Sequence, residues 1–333
     1  MILNNKTLLI TGGTGSFGST LVSKLLSSRI KQIRIFSRDE KKQEDMRNHY
    51  NNSKLKFIIG DVRDEEAVSN SLNGVDYVFH AAALKQVPTC EFFPMEAFKT
   101  NVIGTKNIIN HSIENKIKRL VVLSTDKAVY PINTMGVTKS LAEKLVISNS
   151  LDYSKSKTII CATRYGNVIA SRGSMIPLFI KQIKDGKNLT ITNPKMTRFM
   201  MTLEQSVKLV LHAFENGKNG QIFVQQSPSA DIETIANSIK EILNYNKPNK
   251  IIGVRHGEKM FETLVSSEEM SRCKKNKNYF CISPDTRDLN YDKYFIKGKN
   301  KIYSDYNSNN TKLLNKDEIK KLLFSSENFK ALV

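Results

Sequence analysis

Gly12, Gly15 and Gly18 fall three residues apart between a short apolar run, Lys6–Thr11 (KTLLIT), and a stretch where Leu21, Val22, Leu25 and Leu26 recur at helical spacing. No other part of the chain narrows the fold as much. The apolar run reads as a buried strand, and the spacing after it as a helix. Glycines at the joint permit a turn that a side chain would block and let backbone approach a phosphate. The helix start that follows offers free amide donors to an anion. Strand, glycine turn and helix in this order make a dinucleotide-binding signal, with Thr14, Ser16 and Phe17 completing the turn. A glycine-rich turn without a ligand is the alternative.

The same alternation continues. Strands are predicted over Gln32–Phe36, Leu55–Ile59, Tyr77–His80, Leu120–Leu123 and Lys157–Thr163, with helical patterns over 64–72, 96–115 and 136–150. Strands alternating with helices imply an α/β fold: a doubly wound parallel sheet covered on both faces. Past residue 165 the pattern loosens, with helices near 177–185, 203–216 and 231–244 and short strands at 189–192, 221–225 and 250–254. A chain of 333 residues accommodates one large α/β unit and a smaller mixed lobe. The expected division is a dinucleotide-binding domain over 1–165 and a substrate-binding lobe over 166–333, with an interleaved boundary. Residues 266–311 are polar and rich in Asn, Lys and Tyr, and read as a covering segment.

Polar residues collect where the predicted strands end, which is where open α/β sheets bind ligands. The second strand ends in Ser37 and Arg38 with Lys41 and Lys42 behind, a hydroxyl and cations suited to the 2′-phosphate of NADP. Asp39 keeps NAD open, because an acidic residue there can bond ribose hydroxyls. Gly60-Asp61-Val62 suits a turn against adenine, and Ala81-Ala82-Ala83 a bed of small residues beneath the cofactor. The fifth strand runs into Ser124-Thr125-Asp126-Lys127, and Lys139 follows Met135 by four residues on one helix face. A hydroxyl, a carboxylate and two ammonium groups are thereby gathered at one place, unless this is only a solvated turn. Tyr165, Gly166 and Asn167, then Ser171, Arg172 and Ser174, follow the next strand. Thr197-Arg198-Phe199 and Arg255-His256-Gly257-Glu258-Lys259 supply arginines that suit a substrate diphosphate, or else surface ion pairs.

Composition sets limits. Hydrophobic residues at 40% and charged residues at 25% describe an ordinary globular chain. No apolar run approaches the roughly 18 residues of a membrane helix, and no membrane partner is expected. The N-terminus runs straight into the first strand without a secretory pattern, so a cytoplasmic protein is expected. The formal charge of +19 comes with lysine and asparagine spread along the chain, and no basic-aromatic recognition module appears. Nucleic acid is not an expected partner. Cys90, Cys161, Cys273 and Cys281 form no metal-ligand spacing and read as reduced thiols.

These residues resemble the extended short-chain dehydrogenase/reductase superfamily through TGGTGSFG, GDV, HAAA, Ser124 and the helix-borne Lys139. The segments STDKAVYPINTMGVTK, HAAALKQVPTCEFFP (80–94), TRYGNVIASRGSMIPLF (163–179), RHGEK (255–259), SPDTRDLNY (283–291) and YNSNNT (306–311) are similar to UDP-N-acetylglucosamine 4,6-dehydratases. Within these they resemble the configuration-inverting, 5-epimerising capsular-polysaccharide branch of CapE type. The resemblance implies a hydro-lyase that oxidises carbon 4, removes water across carbons 5 and 6, and epimerises carbon 5. It implies NADP as cofactor, with Lys85 and Asn101 added to the cofactor residues above. Substrate contacts are implied at Lys85, Asn167, Ser171, Arg172, Ser174, Pro177, Thr197, Arg198, Arg255 and Glu258. The family tends to assemble, so a homo-oligomer is expected.

In the family pattern Lys127 is the carbon 5 base, Asp126 the acid at carbon 6, and Lys139 holds the nicotinamide ribose. Thr125 is placed to bond the carbon 4 oxygen. Met135 stands where most of the superfamily has tyrosine, and a thioether cannot titrate. Asp126 or an ordered water is then left to take the carbon 4 proton. Burial and the neighbouring Lys139 and nicotinamide charges are expected to lower the Lys127 pKa towards ~7–8. A retaining dehydratase, a UDP-sugar 4-epimerase and a non-catalytic NADP-binding regulator are the alternatives. The last has no need of an Asp-Lys pair beside Lys139.

Overall fold

The computed structural model describes residues 1–152, 156–276, 278–285 and 303–333. The SPDTRDLNY stretch beyond Asp285 lies outside the described residues. The first half contains β1 (Thr7–Thr11), α1 (Ser16–Leu26), β2 (Gln32–Ser37), α2 (Glu40–Tyr50), β3 (Leu55–Ile59), α3 (Glu65–Leu72), β4 (Tyr77–His80), α4 (Val87–Phe92), α5 (Pro94–Phe98), α6 (Gly104–Glu114), β5 (Arg119–Leu123), α7 (Thr134–Asp152) and β6 (Ile159–Arg164). The second contains β7 (Asn167–Val168), α8 (Met175–Lys184), β8 (Thr190–Ile191), β9 (Thr197–Met201), α9 (Leu203–Asn216), β10 (Ile222–Gln225), β11 (Ser229–Asp231) and α10 (Ile232–Ile242). It ends with β12 (Lys250–Ile251), β13 (Thr263–Val265), α11 (Ser267–Met270), β14 (Cys273–Lys275), β15 (Tyr279–Ile282), β16 (Tyr306–Asn307), α12 (Lys316–Phe324) and α13 (Glu327–Lys330).

Among the described residues, nine strands form one sheet in the order β14-β15-β10-β6-β5-β4-β1-β2-β3. It is parallel from β3 through β10, and at the other edge β15 pairs antiparallel with both β10 and β14. Every residue of β1 and of β4 is buried, as expected of strands covered on both faces. One face packs against α1 and α9 through Leu21, Leu25, Val210 and Phe214. The other packs against α3, α6 and α7 through Val68, Ile108, Ile109 and Val146. The chain leaves β1 in one direction for β2 and β3 and returns on its other side for β4, so the strand order reverses between β1 and β4. Ligands of doubly wound sheets bind at that point.

A second core joins α8, α10 and α12 through Phe179, Ile180, Ile235, Ile239, Ile319 and Leu323. It carries the small sheet β11-β9-β7. Strands β10, β14 and β15 lie beyond residue 165 yet belong to the large sheet, so the chain crosses more than once between the two cores.

Three sequence expectations change. The helix expected over 96–115 is broken into α5, a π-helical turn at Lys99–Ile103, and α6. Within the covering segment expected over 266–311, β14 and β15 extend the large sheet and β16 pairs with β13. The apolar tetrad Tyr279–Ile282 was hidden by the lysines and asparagines around it. The strand expected over 250–254 stops at Ile251, because Gly253 turns the backbone to φ +84.

One buried charge ties these parts together. Arg164, at the end of β6, is 1% exposed. Its Nε donates to Glu143 on α7 at 2.9 Å, and its Nη1 donates to Glu269 on α11 at 2.8 Å and to the Leu264 carbonyl on β13 at 2.8 Å. Removing one partner of such a network leaves the other charges buried and unpaired. Arg164→Met is expected to lower unfolding stability by about 3–5 kcal/mol in chemical denaturation. A loss under about 1 kcal/mol would show that water reaches Glu143 and Glu269.

Candidate active site

At the switch point, the Thr11 hydroxyl oxygen accepts from the amides of Ala81 (3.1 Å) and Ala82 (3.2 Å). His80 lies between Thr11 Oγ1 (2.7 Å) and Thr105 Oγ1 (3.0 Å). Burial, with the Lys139 charge adding to it, pushes the His80 pKa down to about 3, so the ring is a neutral bridge. These bonds draw the ends of β1 and β4 together. A Cβ on Gly12 would lie 2.9 Å from the Ala82 Cα and N, and its φ of +66 also demands glycine. The start of α1 at Gly15 has no side-chain cap, which leaves its first-turn amides for an anion.

A cleft of about 530 Å³ opens above these strand ends. The expected cofactor residues Gly12, Thr14, Gly15, Ser16, Phe17 and Gly18 line it, as do Ser37, Arg38, Lys42, Asp61, Val62 and Ala81 to Ala83. Lys85, Tyr165, Gly166, Asn167, Ser171 and Arg172 form the opposite wall. The cradle therefore fits a dinucleotide. At the β2 end, Gln43 Nε2 donates to Ser37 Oγ at 3.0 Å, and Arg38 Nη1 lies 3.4 Å from Asp61 Oδ2. Asp39 caps α2 by accepting from the Lys42 amide at 3.0 Å, and it also pairs with the Lys42 ammonium.

Several expected residues are absent from the cleft lining. Asn101 is fully buried; it accepts from the Leu84 amide (2.8 Å) and donates to Thr138 Oγ1 (3.0 Å), bracing the loop after β4 against α7. Ser174 begins α8 with an unpartnered hydroxyl, and Pro177 lies within that helix. Thr197 Oγ1 is 2.7 Å from Ser308 Oγ, and Arg198 Nη1 donates to the Thr197 carbonyl at 2.8 Å. Arg255 is exposed, and its amide and carbonyl both bond Glu258 within the loop before β13.

Ser124, Thr125, Asp126, Lys127, Met135 and Lys139 share one end of the cleft. Lys139 Nζ donates to the Leu123 carbonyl at 2.7 Å, and burial lowers its pKa to about 8 against the pull of Glu143. Met135 is buried against Cys90 and Ala97. Thr125 Oγ1 donates to Asp126 Oδ1 at 2.8 Å, and Lys127 Nζ donates to the same oxygen at 3.0 Å. Burial raises the Asp126 pKa, so it holds a proton more readily than an exposed aspartate. Ser124 Oγ, Asp126 Oδ2 and Asn167 Oδ1 are buried without a protein partner.

The expected lowering of the Lys127 pKa is reversed. Burial does oppose its charge, but Asp126 and a second carboxylate, Glu262 at 3.4 Å, outweigh that and raise it. The sequence reading missed Glu262. The signal for it was an acidic residue inside the apolar run Phe261–Val265. Lys259, from the RHGEK segment, donates to the Val129 carbonyl at 2.7 Å and adds positive charge nearby.

The chain matches the polysaccharide biosynthesis protein family over residues 8–284, and the family of its C-terminal region over 285–329. It belongs to the polysaccharide biosynthesis protein family. A protein of Rickettsia rickettsii (strain Sheila Smith) named UDP-glucose 4-epimerase is 58% identical over 327 residues, covering 96% of each chain. Among solved structures, Pen from Bacillus thuringiensis superposes with a TM-score of 0.89 at 34% identity, over 98% of this chain and 100% of Pen. The DesIV dTDP-glucose 4,6-dehydratase of Streptomyces venezuelae, with NAD and TYD bound, shares the fold at a TM-score of 0.71 and 20% identity, over 76% of this chain and 86% of that one. The chain thus shares an α/β Rossmann-like fold with a solved nucleotide-sugar dehydratase, and its 58%-identical rickettsial relative carries the name of a nucleotide-sugar epimerase.

Gly12→Ala is expected to weaken nicotinamide-dinucleotide binding at least ~10-fold, since a left-handed backbone alone costs an alanine ~1–2 kcal/mol. Fluorescence titration measures it; an unchanged Kd would place the ligand away from this turn.

Proposed function

We propose that the protein is a UDP-N-acetylglucosamine 4,6-dehydratase that inverts carbon 5 and works with NADP. The observation that carries this reading is the ion pair of the buried Asp126 with the half-buried Lys127 at the end of the cleft that also holds Lys139. A 4-epimerase must move one proton at the carbon 4 hydroxyl and has no work for a second acid–base pair. Elimination across carbons 5 and 6 needs both a base and an acid. The name of the rickettsial relatives favours the second reading, a UDP-sugar 4-epimerase. Against it, the helix position that could carry a phenol holds the apolar Met135.

When bound, the cofactor would take hydride from carbon 4 and return it to carbon 6, so no net oxidation occurs. Thr125 bonds the carbon 4 oxygen and passes its proton to Asp126 along their 2.8 Å contact. Asp126, whose raised pKa suits an acid, gives that proton to the carbon 6 hydroxyl as it leaves as water. Lys127 removes the carbon 5 proton, which the carbon 4 ketone makes acidic, and carbon 5 takes a proton from water on its opposite face once carbon 6 has received hydride. Lys139 orients the nicotinamide ribose. Support for the sugar, the inverted carbon 5 and a role in capsule or surface polysaccharide comes from the likeness of the segments quoted above.

Incubation with UDP-N-acetylglucosamine should remove one water by mass, and Lys127→Ala should abolish this while cofactor binding persists. The product should show no strong through-space contact between the protons on carbons 3 and 5; a strong contact would mean retention. Conversion to the 4-epimer without loss of water would establish the second reading. For the cofactor, Asp39 is engaged as cap and ion-pair partner while Arg38 is 52% exposed at the cleft. NADPH should bind more tightly than NADH, and Arg38→Ala should shrink the gap roughly tenfold, the scale of one charge-assisted hydrogen bond. Equal binding of both by the wild type would make NAD the cofactor.

A further inference from the structure

Beyond β7 the chain turns at Ser171–Ser174, where the Ser174 amide donates to the Ser171 carbonyl at 3.1 Å before α8 begins. Both walls of the cleft hold this turn by its backbone. The Arg172 amide donates to Ser16 Oγ in the glycine turn at 3.3 Å, and Lys85 Nζ, from the loop after β4, donates to the Arg172 carbonyl at 2.8 Å. The chain enters the turn through Ala170, buried and held at φ +53, in the left-handed region that non-glycine residues avoid. Backbone held in a sparsely populated conformation and fixed from both sides is a property of ligand clamps. The Arg172 side chain takes no part in this fixing. It lines the cleft, is exposed, and makes no hydrogen bond or ion-pair contact among the described residues.

Arg38 and Lys42 stand at the β2 end of the cleft, and each already has a carboxylate: Arg38 lies 3.4 Å from Asp61 Oδ2, and Lys42 pairs with Asp39. Arg172 has none in contact, yet its charge reaches the same end. Lys42, by hydrogen bond and charge, holds the Asp39 pKa below its usual value, and Arg172 adds to that from across the cleft. In the order β5-β4-β1-β2, three strand spacings, roughly 14 Å, separate this end from Asp126 and Lys127. The resemblance implies that Arg172 touches substrate, whereas its position points to the adenosine end of the cofactor. A planar guanidinium is suited to gripping a phosphate at two points. We propose that Ser171–Ser174 is a strap over the bound cofactor and that Arg172 delivers a guanidinium from it to the adenosine 2′-phosphate, facing Arg38 across the cleft. This rests on the NADP reading. The phosphate is then held from opposite walls, by one arginine of the sheet and one of the strap, and both share the choice between NADP and NAD. NAD has a hydroxyl in that place and offers Arg172 no charge to meet.

The test titrates the full-length protein with NADPH and NADH by fluorescence, and with adenosine 2′,5′-bisphosphate and UDP by calorimetry. Arg172→Met should raise the Kd of NADPH and of the bisphosphate roughly tenfold, the scale of one charge-assisted hydrogen bond, and leave those of NADH and UDP unchanged. The NADPH loss should appear in stopped flow as faster release, because the strap must lift for the cofactor to leave. Arg172→Lys keeps the charge without the fork and should recover part of the loss. Equal weakening of NADPH and NADH would put the guanidinium on the pyrophosphate. Weaker UDP binding with NADPH unchanged would put it on the substrate. Either result overturns the proposal, as does a variant that binds all four like the wild type. A loss confined to association means that Arg172 only steers the cofactor in from solvent, and overturns the strap. If Arg172→Met proves unfolded by thermal denaturation, Arg172→Lys decides: a smaller gap between NADPH and NADH supports the proposal, and an unchanged gap overturns it. A wild type that binds NADPH no tighter than NADH overturns the NADP reading as well. A wild-type preference for NADPH that Arg172→Met leaves intact overturns this proposal alone.

Discussion

A single guanidinium, that of Arg164, has no water to turn to and must be satisfied by the chain itself. It meets that need by taking Glu143 from the helix after β5, Glu269 from α11 and the carbonyl of Leu264 from β13. A charge this deeply buried tolerates little displacement of its partners. The consequence reaches the cleft along two paths. Glu143 lies one helical turn beyond Lys139, and Leu264 lies two residues beyond Glu262. The helix that presents Lys139 and the strand that Glu262 leads into are therefore fixed in one frame, although more than a hundred residues separate them.

Within that frame the electrostatics differ between two lysines on the same cleft. Lys139 has a backbone carbonyl as its hydrogen-bond partner and loses water to burial, so its pKa falls to about 8. Lys127 keeps a side chain 23% exposed and gains two carboxylates, and its pKa rises. Burial alone does not set the sign; the partners do. The loss of a phenol at Met135 sharpens this division. The proton traffic of the proposed reaction then depends on one cluster of Thr125, Asp126 and Lys127, with Glu262 holding charge on the lysine.

The parallel sheet, its glycine turn and the polar ends of its strands were legible because each rests on local pattern. A buried parallel strand is an unbroken apolar run, and a glycine at positive φ announces itself in the sequence. The cleft lining through Lys139, and onward from Tyr165 to Arg172, follows from those strand ends. Helix α2 was not legible: its sequence EKKQEDMRNHY buries only Gln43 and Met46 and carries no apolar stripe. Strand β15 was masked by polar neighbours. Arg198 and Arg255 read as diphosphate ligands from the sequence, and the structure places Arg198 on β9 and Arg255 in the exposed loop before β13. Arg198 points its Nη1 into its own strand's backbone, and Arg255 stands in solvent. Glu262 required the opposite inference, since only the fold reveals that the acidic residue of an apolar run meets Lys127.

The bonds of Ser308 bear on how this protein is divided. The match to the main family ends at residue 284, and the C-terminal match begins at 285. Among the described residues, every one that lines the cleft belongs to the first portion. Ser308 belongs to the second, yet it clamps the Glu262 backbone from both sides and grips the Thr197 carbonyl across from it. The pairing of β13 with β16 adds a ladder over the same joint. The two family segments are consequently not a catalytic body and an appendage. A fragment that stopped at the family boundary would keep a complete cleft wall and surrender the support of the carboxylate behind it.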